Sequence, residues 1–422
     1  MLDLKFIREN LELVEESLRN RNLKLDLSVL VKIDDKRRDV LLRLENLRAK
    51  RNKANDEIGA LLKEKKDAKE KINSMKSISL EIGQMEDEVK AAQEALDEIL
   101  IKIPNVAHAS VPVGDLKKNS LVRTWGNLRK FDFKPLSHID IAQGLDIIDF
   151  NRATKITGSN FILYKGLGAK LERALINFML DLHTKKHGYT EILPPFLVNR
   201  ASMTGTGQLP KMEEDMYKLK DDDLFLIPTA EVPVTNIFRD EILDEGILPV
   251  YYAAFSACFR REAGAYGKDT RGLMRVHEFN KVEMVKFVKP ESSYDELEGL
   301  VNNAEEVLKL LEIPYRVVML ATQDLSFAAS KCYDLEAYAP GMDKWLEVSS
   351  CSNFESFQAR RANIRFRRKD DKKVDFIHTL NGSGIALPRT VVAILENYQQ
   401  EDGSVLIPKV LKEYMDGKER IS

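Results

Sequence analysis

From Ser28 to Ile103 apolar residues recur at alternating spacings of three and four, first as Ile33, Val40, Leu44, Leu47, Ala54, Ile58 and Leu61, then as Ile78, Ile82, Met85, Val89, Ala92, Leu96, Ile99 and Ile103. Such a stripe is the seam of a coiled coil, and Arg37 and Arg51 occupy two seam positions. Residue numbers matched across the two runs keep a constant sum of 143, as in 61 with 82, 47 with 96 and 40 with 103, so the helices are expected to run antiparallel. That sum places the turn near residues 71 and 72, where Asn73 and Ser74 weaken helical preference, and Pro104 ends the second helix. Gly59 and Gly83 fall almost symmetrically about this tip, and close backbone approach is the expected compensation for their poor helix propensity. At about 1.5 Å per residue a helix from Ser28 to near Lys69 is roughly 60 Å long, more than a globular core can hold.

Charge divides along the hairpin. Lys32 to Lys76 carries 15 Lys and Arg against 9 Asp and Glu, whereas Ser77 to Ile103 carries 2 against 7. The whole-chain net charge of −2 therefore conceals a basic stripe. It can follow a phosphate backbone, or it can be the solvated face of a coiled coil. With 422 residues, two or three domains are expected, and the three cysteines (Cys258, Cys332, Cys351) lie far apart without the spacing of a zinc site or a disulfide framework. No apolar run approaches the roughly 18 residues needed to span a bilayer, and the expected setting is cytoplasmic, without a membrane.

Pro104, Pro112 and Gly114 mark a loop and from Ser137 onward composition becomes that of a mixed α/β domain, and the expected domains are 1–110 and 111–422. Phe259–Glu262 and Val276–Val285 alternate like strands around a glycine-containing charged stretch with Gly264, Gly267 and Gly272, predicting a hairpin with a long, mobile, basic loop. Alternation sets Arg260 and Glu262 on one face and Phe279 and Glu283 on one face. A guanidinium that grips phosphate, a ring that stacks on a purine and carboxylates that hold amines suit a nucleotide and an amine together. His183 and His187 stand four apart without the HExxH glutamate and are read as surface histidines.

Phe259-Arg260-Arg261-Glu262 followed by Arg275, Phe279 and Glu283 resembles motif 2 of the class II aminoacyl-tRNA synthetases, and Asp269-Thr270-Arg271-Gly272-Leu273 with His277-Glu278-Phe279 is similar to its seryl members. Gly188-Tyr189-Thr190-Glu191-Ile192-Leu193-Pro194-Pro195 resembles motif 1, and Asn381-Gly382-Ser383-Gly384-Ile385-Ala386-Leu387-Pro388-Arg389 resembles motif 3. The resemblance covers nearly the whole chain, because the basic helical hairpin, with Arg48 to Lys53 and Ile58-Gly59, is similar to the arm with which that family reaches the long variable region of its tRNA.

What the resemblance implies is an α+β fold, a class II synthetase-like antiparallel sheet flanked by helices with an N-terminal antiparallel coiled-coil arm. It implies a homodimer and a serine–tRNA ligation reaction through an adenylate. ATP would be bound by Arg260, Arg261, Glu262, Arg275, Val276, Phe279, Glu347, Val348, Ser349, Ser350 and Arg389, with Arg260, Glu262 and Arg389 central to catalysis. L-serine would be held by Thr229, Ala230, Glu231, Arg260, Glu283, Asn381 and Ser383. Mg2+ would accompany ATP on Glu347 and Ser350, with no zinc. tRNA(Ser), with tRNA(Sec) left open, would meet Arg48, Arg51, Lys53 and Lys63. Two alternatives stand beside it, a ligase that loads a carrier protein and a non-catalytic RNA-binding paralogue.

Overall fold

Long helices and an extended sheet occupy separate parts of the chain. A computed structural model describes residues 1–263 and 271–422, so Gly264, Gly267, Asp269 and Thr270 of the loop lie outside the described residues. One compact unit is Leu2–Pro104, and the other is Met1 with Asn105–Ser422.

The first unit consists of α1 (Leu4–Glu9), α2 (Leu11–Asn20), α3 (Ser28–Lys63) and α4 (Lys69–Leu100). Ile7, Val14 and Leu18 are buried at its start. The antiparallel hairpin forms as the periodicity predicts, but its tip and register differ. Helix α3 ends at Lys63 through Lys65, whose φ is 53°, and the Lys66 N–H donates to the Leu61 carbonyl at 2.9 Å, as in a Schellman cap. Asp67 then accepts the Lys69 N–H at 2.9 Å and opens α4. Ser74 stays helical because its hydroxyl bonds back to the Lys71 carbonyl at 2.9 Å. The earlier tip sets Arg48 against Glu86 at 2.6 Å and Arg37 against Gln93 at 3.0 Å, where the constant sum set position 48 against 95. A slip of roughly three turns keeps the same helix faces together, which is why periodicity alone chose the seam and not the register. Gly59 and Gly83 have nothing within 4 Å of an added Cβ, so close backbone approach does not account for them.

The second unit is built on eight strands: β1 (Ser120–Trp125), β2 (Thr190–Ile192), β3 (Val250–Phe259), β4 (Glu278–Val288), β5 (Tyr315–Met319), β6 (Lys331–Ala339), β7 (Lys344–Asn353) and β8 (His378–Ala386). Their order across the sheet is β1-β5-β6-β7-β8-β4-β3-β2, antiparallel except for the β2–β3 pair. Helices Leu167–Lys185, Ser293–Leu310 and Leu387–Tyr398 share one buried cluster with the sheet. Burying each leucine there contributes about 2 kcal/mol.

Strand alternation on β8 explains its glycines. Asn381 and Ser383 line a cleft over the sheet, while Cβ atoms at Gly382 and Gly384 would lie 2.8 Å from Cys351 Sγ and 2.5 Å from His183 Nε2. His183 is thus a core residue, fully buried and 2.9 Å from His187 Nδ1, while His187 Nε2 meets Glu306 at 2.9 Å. The surface reading of this pair fails because the helix presents His183 inward against the sheet, and His187, two residues beyond the helix end, turns back between His183 and Glu306. Burial, then the neighbouring His187, lowers the His183 pKa to about 3.

Candidate active site

A cleft of about 600 Å³ opens over the central strands. Phe279, Lys281 and Glu283 reach it from alternate positions of β4. The neighbouring strand β3 stops at Phe259, and β4 begins only at Glu278 and runs to Val288, so the expected strands 259–262 and 276–285 are displaced. Arg260 and Glu262 therefore reach the cleft from the loop rather than by strand alternation. The Arg260 N–H donates to the His277 carbonyl at 2.9 Å, His277 Nδ1 lies 2.9 Å from the Arg260 carbonyl, and Glu262 adopts φ 51°. The Arg260 guanidinium lies 5.1 Å over the Phe279 ring, a cation–π contact that pre-orients both groups. Glu262 pairs with Arg275 at 2.9 Å.

Arg389, in the first turn of its helix, lines the same cleft as Arg260. Its Nη1 donates to the Glu347 carbonyl at 2.8 Å and to Glu347 Oε2 at 3.3 Å. The strand leading to this helix is locally strained, since Ile385 has φ 112° beside a shift of register between Ser383 and Ala386. Such a bend re-aims the residues after it, Arg389 among them.

Glu347 and Ser350 stand three apart and would face opposite sides of a regular strand. A register shift between Glu347 and Ser349 brings both into the cleft with Val348 and Ser349. On the adjoining strand Asp334 pairs in register with Ser350; burial, then the charge of Glu347, pushes its carboxyl well above the usual range. Nothing in the sequence around Asp334 signals this, because its neighbour is 16 positions away.

The polar end of the cleft is enclosed. Thr229, Glu231, Glu283, Asn381 and Ser383 line it and are all buried. Thr229 Oγ1 accepts the Glu231 N–H at 3.2 Å, starting a short helix, and donates to Glu283 Oε2 at 3.2 Å. Glu231 accepts from Gln358 Nε2 at 2.6 Å. Burial, then the charge of Glu283, raises the Glu231 pKa to about 7. Lys281, which the sequence reading passed over, lies 2.5 Å from Glu283 Oε2 and 2.9 Å from Thr229 Oγ1. The i, i+2 spacing of Lys281 and Glu283 on one strand was the available signal.

Arg275 and Val276 also line the cleft, whereas Arg261 is exposed and outside the lining and Ala230 is fully buried behind it. Arg48, Lys53 and Lys63 are exposed and Arg51 is half-buried within the helical unit. Among the described residues no group of three or more His, Cys, Asp or Glu side chains is placed to hold a metal, and no helix is long and apolar enough to cross a membrane. The cleft can thus hold a polyanion between two guanidiniums, next to a closed pocket with paired carboxylates.

Residues 1–107 match the seryl-tRNA synthetase N-terminal domain and residues 216–398 match the tRNA synthetase class II core domain (G, H, P, S and T). A Serine--tRNA ligase of Carboxydothermus hydrogenoformans is 57% identical over 422 residues, spanning 100% of this chain and 99% of that one. One from Listeria welshimeri is 56% identical over 423 residues with the same coverage. The crystal structure of seryl-tRNA synthetase from Pyrococcus horikoshii complexed with ATP aligns over 100% of this chain and 99% of its own, at 42% identity and a TM-score of 0.93.

Proposed function

The chain belongs to the seryl-tRNA synthetases, and from that premise we propose how its cleft activates serine and which residues do so. The reaction has two steps. A carboxylate oxygen of serine attacks the α-phosphorus of ATP as the bond to the β-phosphate bridging oxygen breaks, releasing pyrophosphate and leaving seryl-adenylate. A terminal ribose hydroxyl of tRNA(Ser) then attacks the seryl carbonyl, and AMP departs. Both steps gather negative charge on phosphate oxygens, so placed cations and in-line geometry supply most of the acceleration.

Arg260 orients the serine carboxylate and the α-phosphate, and Phe279 with Glu262 holds the adenine. Arg389 takes the outer phosphates and lies against the purine, and Arg275 is its partner at the phosphate tail. Glu347 and Ser350 offer hard oxygen donors on one side of the bulged strand, a set that fits Mg2+ carried largely by nucleotide phosphates. When bound there, Mg2+ would neutralise phosphate charge.

Glu231 takes the serine ammonium, and Glu283, Thr229, Asn381 and Ser383 form the pocket for its hydroxyl. A site built to hydrogen-bond a hydroxyl rejects the analogue lacking it by about 10^4 to 10^5. The basic face of the arm, with Arg48, Arg51, Lys53 and Lys63, follows the tRNA backbone, and tRNA(Sec) is a second acceptor to try on the same face. The strand and loop at residues 188–195 form the homodimer contact, and the setting is cytoplasmic.

One observation carries this reading: Arg260 and Arg389 line a single cleft that continues into the buried Glu231 and Glu283 pocket. ATP–pyrophosphate exchange across the amino acids, followed by transfer to total tRNA, tests it. Exchange with serine alone and transfer to tRNA is expected. Exchange without transfer to tRNA would favour a carrier-loading ligase, and no exchange would favour a non-catalytic paralogue.

A further inference from the structure

Two carboxylates in one closed pocket pose a problem that the serine reading leaves open. Glu231 and Glu283 are both buried, and each could attract the single ammonium of an α-amino acid. A small amino acid would then have two competing poses, only one of which presents its carboxylate to Arg260. Lys281 breaks the symmetry. Its ammonium is buried and lies 2.5 Å from Glu283 Oε2, and it also donates to Thr229 Oγ1 at 2.9 Å. Glu231 has a neutral partner instead, the amide of Gln358 at 2.6 Å.

We propose that Lys281 is the positioning residue that sorts the two carboxylates, cancelling the charge of Glu283 so that it serves as hydroxyl acceptor while Glu231 alone draws the ammonium. The proposal rests on the serine-pocket reading above. Among the described residues both partners of Glu283, Lys281 and Thr229, sit on Oε2. Oε1 is therefore the oxygen left for a ligand, and a carboxylate already neutralised at one oxygen still accepts a hydrogen bond at the other. Between buried groups in contact an opposite charge outweighs a dipole, so Glu231, which the charge of Lys281 reaches only from beyond contact, is the stronger ammonium site. Thr229 ties the pieces together, since its hydroxyl meets Lys281 and Glu283 and its oxygen also starts the helix that carries Glu231.

The test is steady-state pyrophosphate exchange by the full-length Lys281→Met and Lys281→Arg proteins with serine, alanine and threonine. Lys281→Met is expected to raise the KM for serine at least about 50-fold with the KM for ATP within about twofold, and to lower the serine-over-alanine kcat/KM ratio at least about tenfold. Lys281→Arg restores the ratio in part. In a Glu283→Gln background the Lys281→Met change should add less than about twofold, because the charge that it balances is gone. A serine KM and a serine-over-alanine ratio both within twofold of the unsubstituted protein overturn the proposal. So does an equal rise in both KM values, or full additivity in the double variant. If Lys281→Met does not fold, the double variant and Lys281→Arg decide by the same ratio. Failure of the unsubstituted protein to exchange with serine would instead remove the functional reading itself.

Discussion

In the helical arm and in the cleft, charges of opposite sign meet under opposite conditions. Arg48 and Glu86 face each other across the hairpin at 2.6 Å with both side chains about half exposed, at 47% and 48%. Solvent screens such a pair, and its worth is about 0 to 1 kcal/mol. Lys281 and Glu283 meet at 2.5 Å with 7% and 2% exposure, and removing one member of a buried pair costs about 3 to 5 kcal/mol. Arm cations are thus free to exchange one anion for another, as phosphate binding requires, whereas cleft charges are committed to orientation. The two regions should respond differently to substitution, salt and pH.

The largest separation comes from the cleft arginines. Arg389→Ala or Arg260→Ala should lower pyrophosphate exchange by at least about 10^3 while tRNA binding in a filter assay stays within about threefold. Comparable losses in both assays would break the distinction.

Acid should act on the cleft next. The Glu231 pKa is raised to about 7, so the free pocket takes up a proton as pH falls through 7, and the ammonium needs the ionised form. The serine KM is therefore expected to rise about tenfold per pH unit below 7, and Glu231→Gln should flatten that limb. A KM constant from pH 8 to 5.5 contradicts the assignment. Stability moves in the opposite sense: a carboxyl raised in the folded state favours folding fully below its unfolded pKa, and that contribution is lost as pH rises toward 7.

Arm substitutions come third. Arg48, Arg51 and Lys53 changed together to Ala should weaken aminoacylation of tRNA about 10- to 100-fold and reduce the salt dependence of tRNA binding by up to about 3 in logarithmic slope. Serine exchange should not change. The smallest effect is structural. Because an added Cβ at Gly59 or Gly83 meets open space, alanine at each should stabilise the hairpin by about 1 kcal/mol, read as slower amide hydrogen exchange in α3 and α4. A loss of protection there would mean the glycines serve a contact that the hairpin makes only when bound.

These contrasts also mark what the sequence could reveal. A repeat of three and four defines faces, so the antiparallel arm was legible, but its register depended on one cap. Asp67 with Glu70 three positions on is the local signal for that cap, and the serine at 74 misled because its hydroxyl can be satisfied inside a helix. In the cleft the motif residues were legible through the resemblance of their segments to the class II motifs. The means by which they converge were not, because bulges at Glu347 to Ser349 and at Ser383 to Ala386 obey no local pattern. Asp334 escaped notice because its importance arises from burial beside Glu347 and Ser350 on another strand, and Lys281 because its i, i+2 pairing with Glu283 matters only once both are buried beside Thr229.

The most direct measurement is a crystal structure of the protein with a non-hydrolysable seryl-adenylate analogue. The account predicts adenine between Phe279 and Arg389, the ammonium on Glu231 and the hydroxyl on Glu283 beside Lys281. An analogue with its ammonium on Glu283, or one seated outside the cleft, would contradict it.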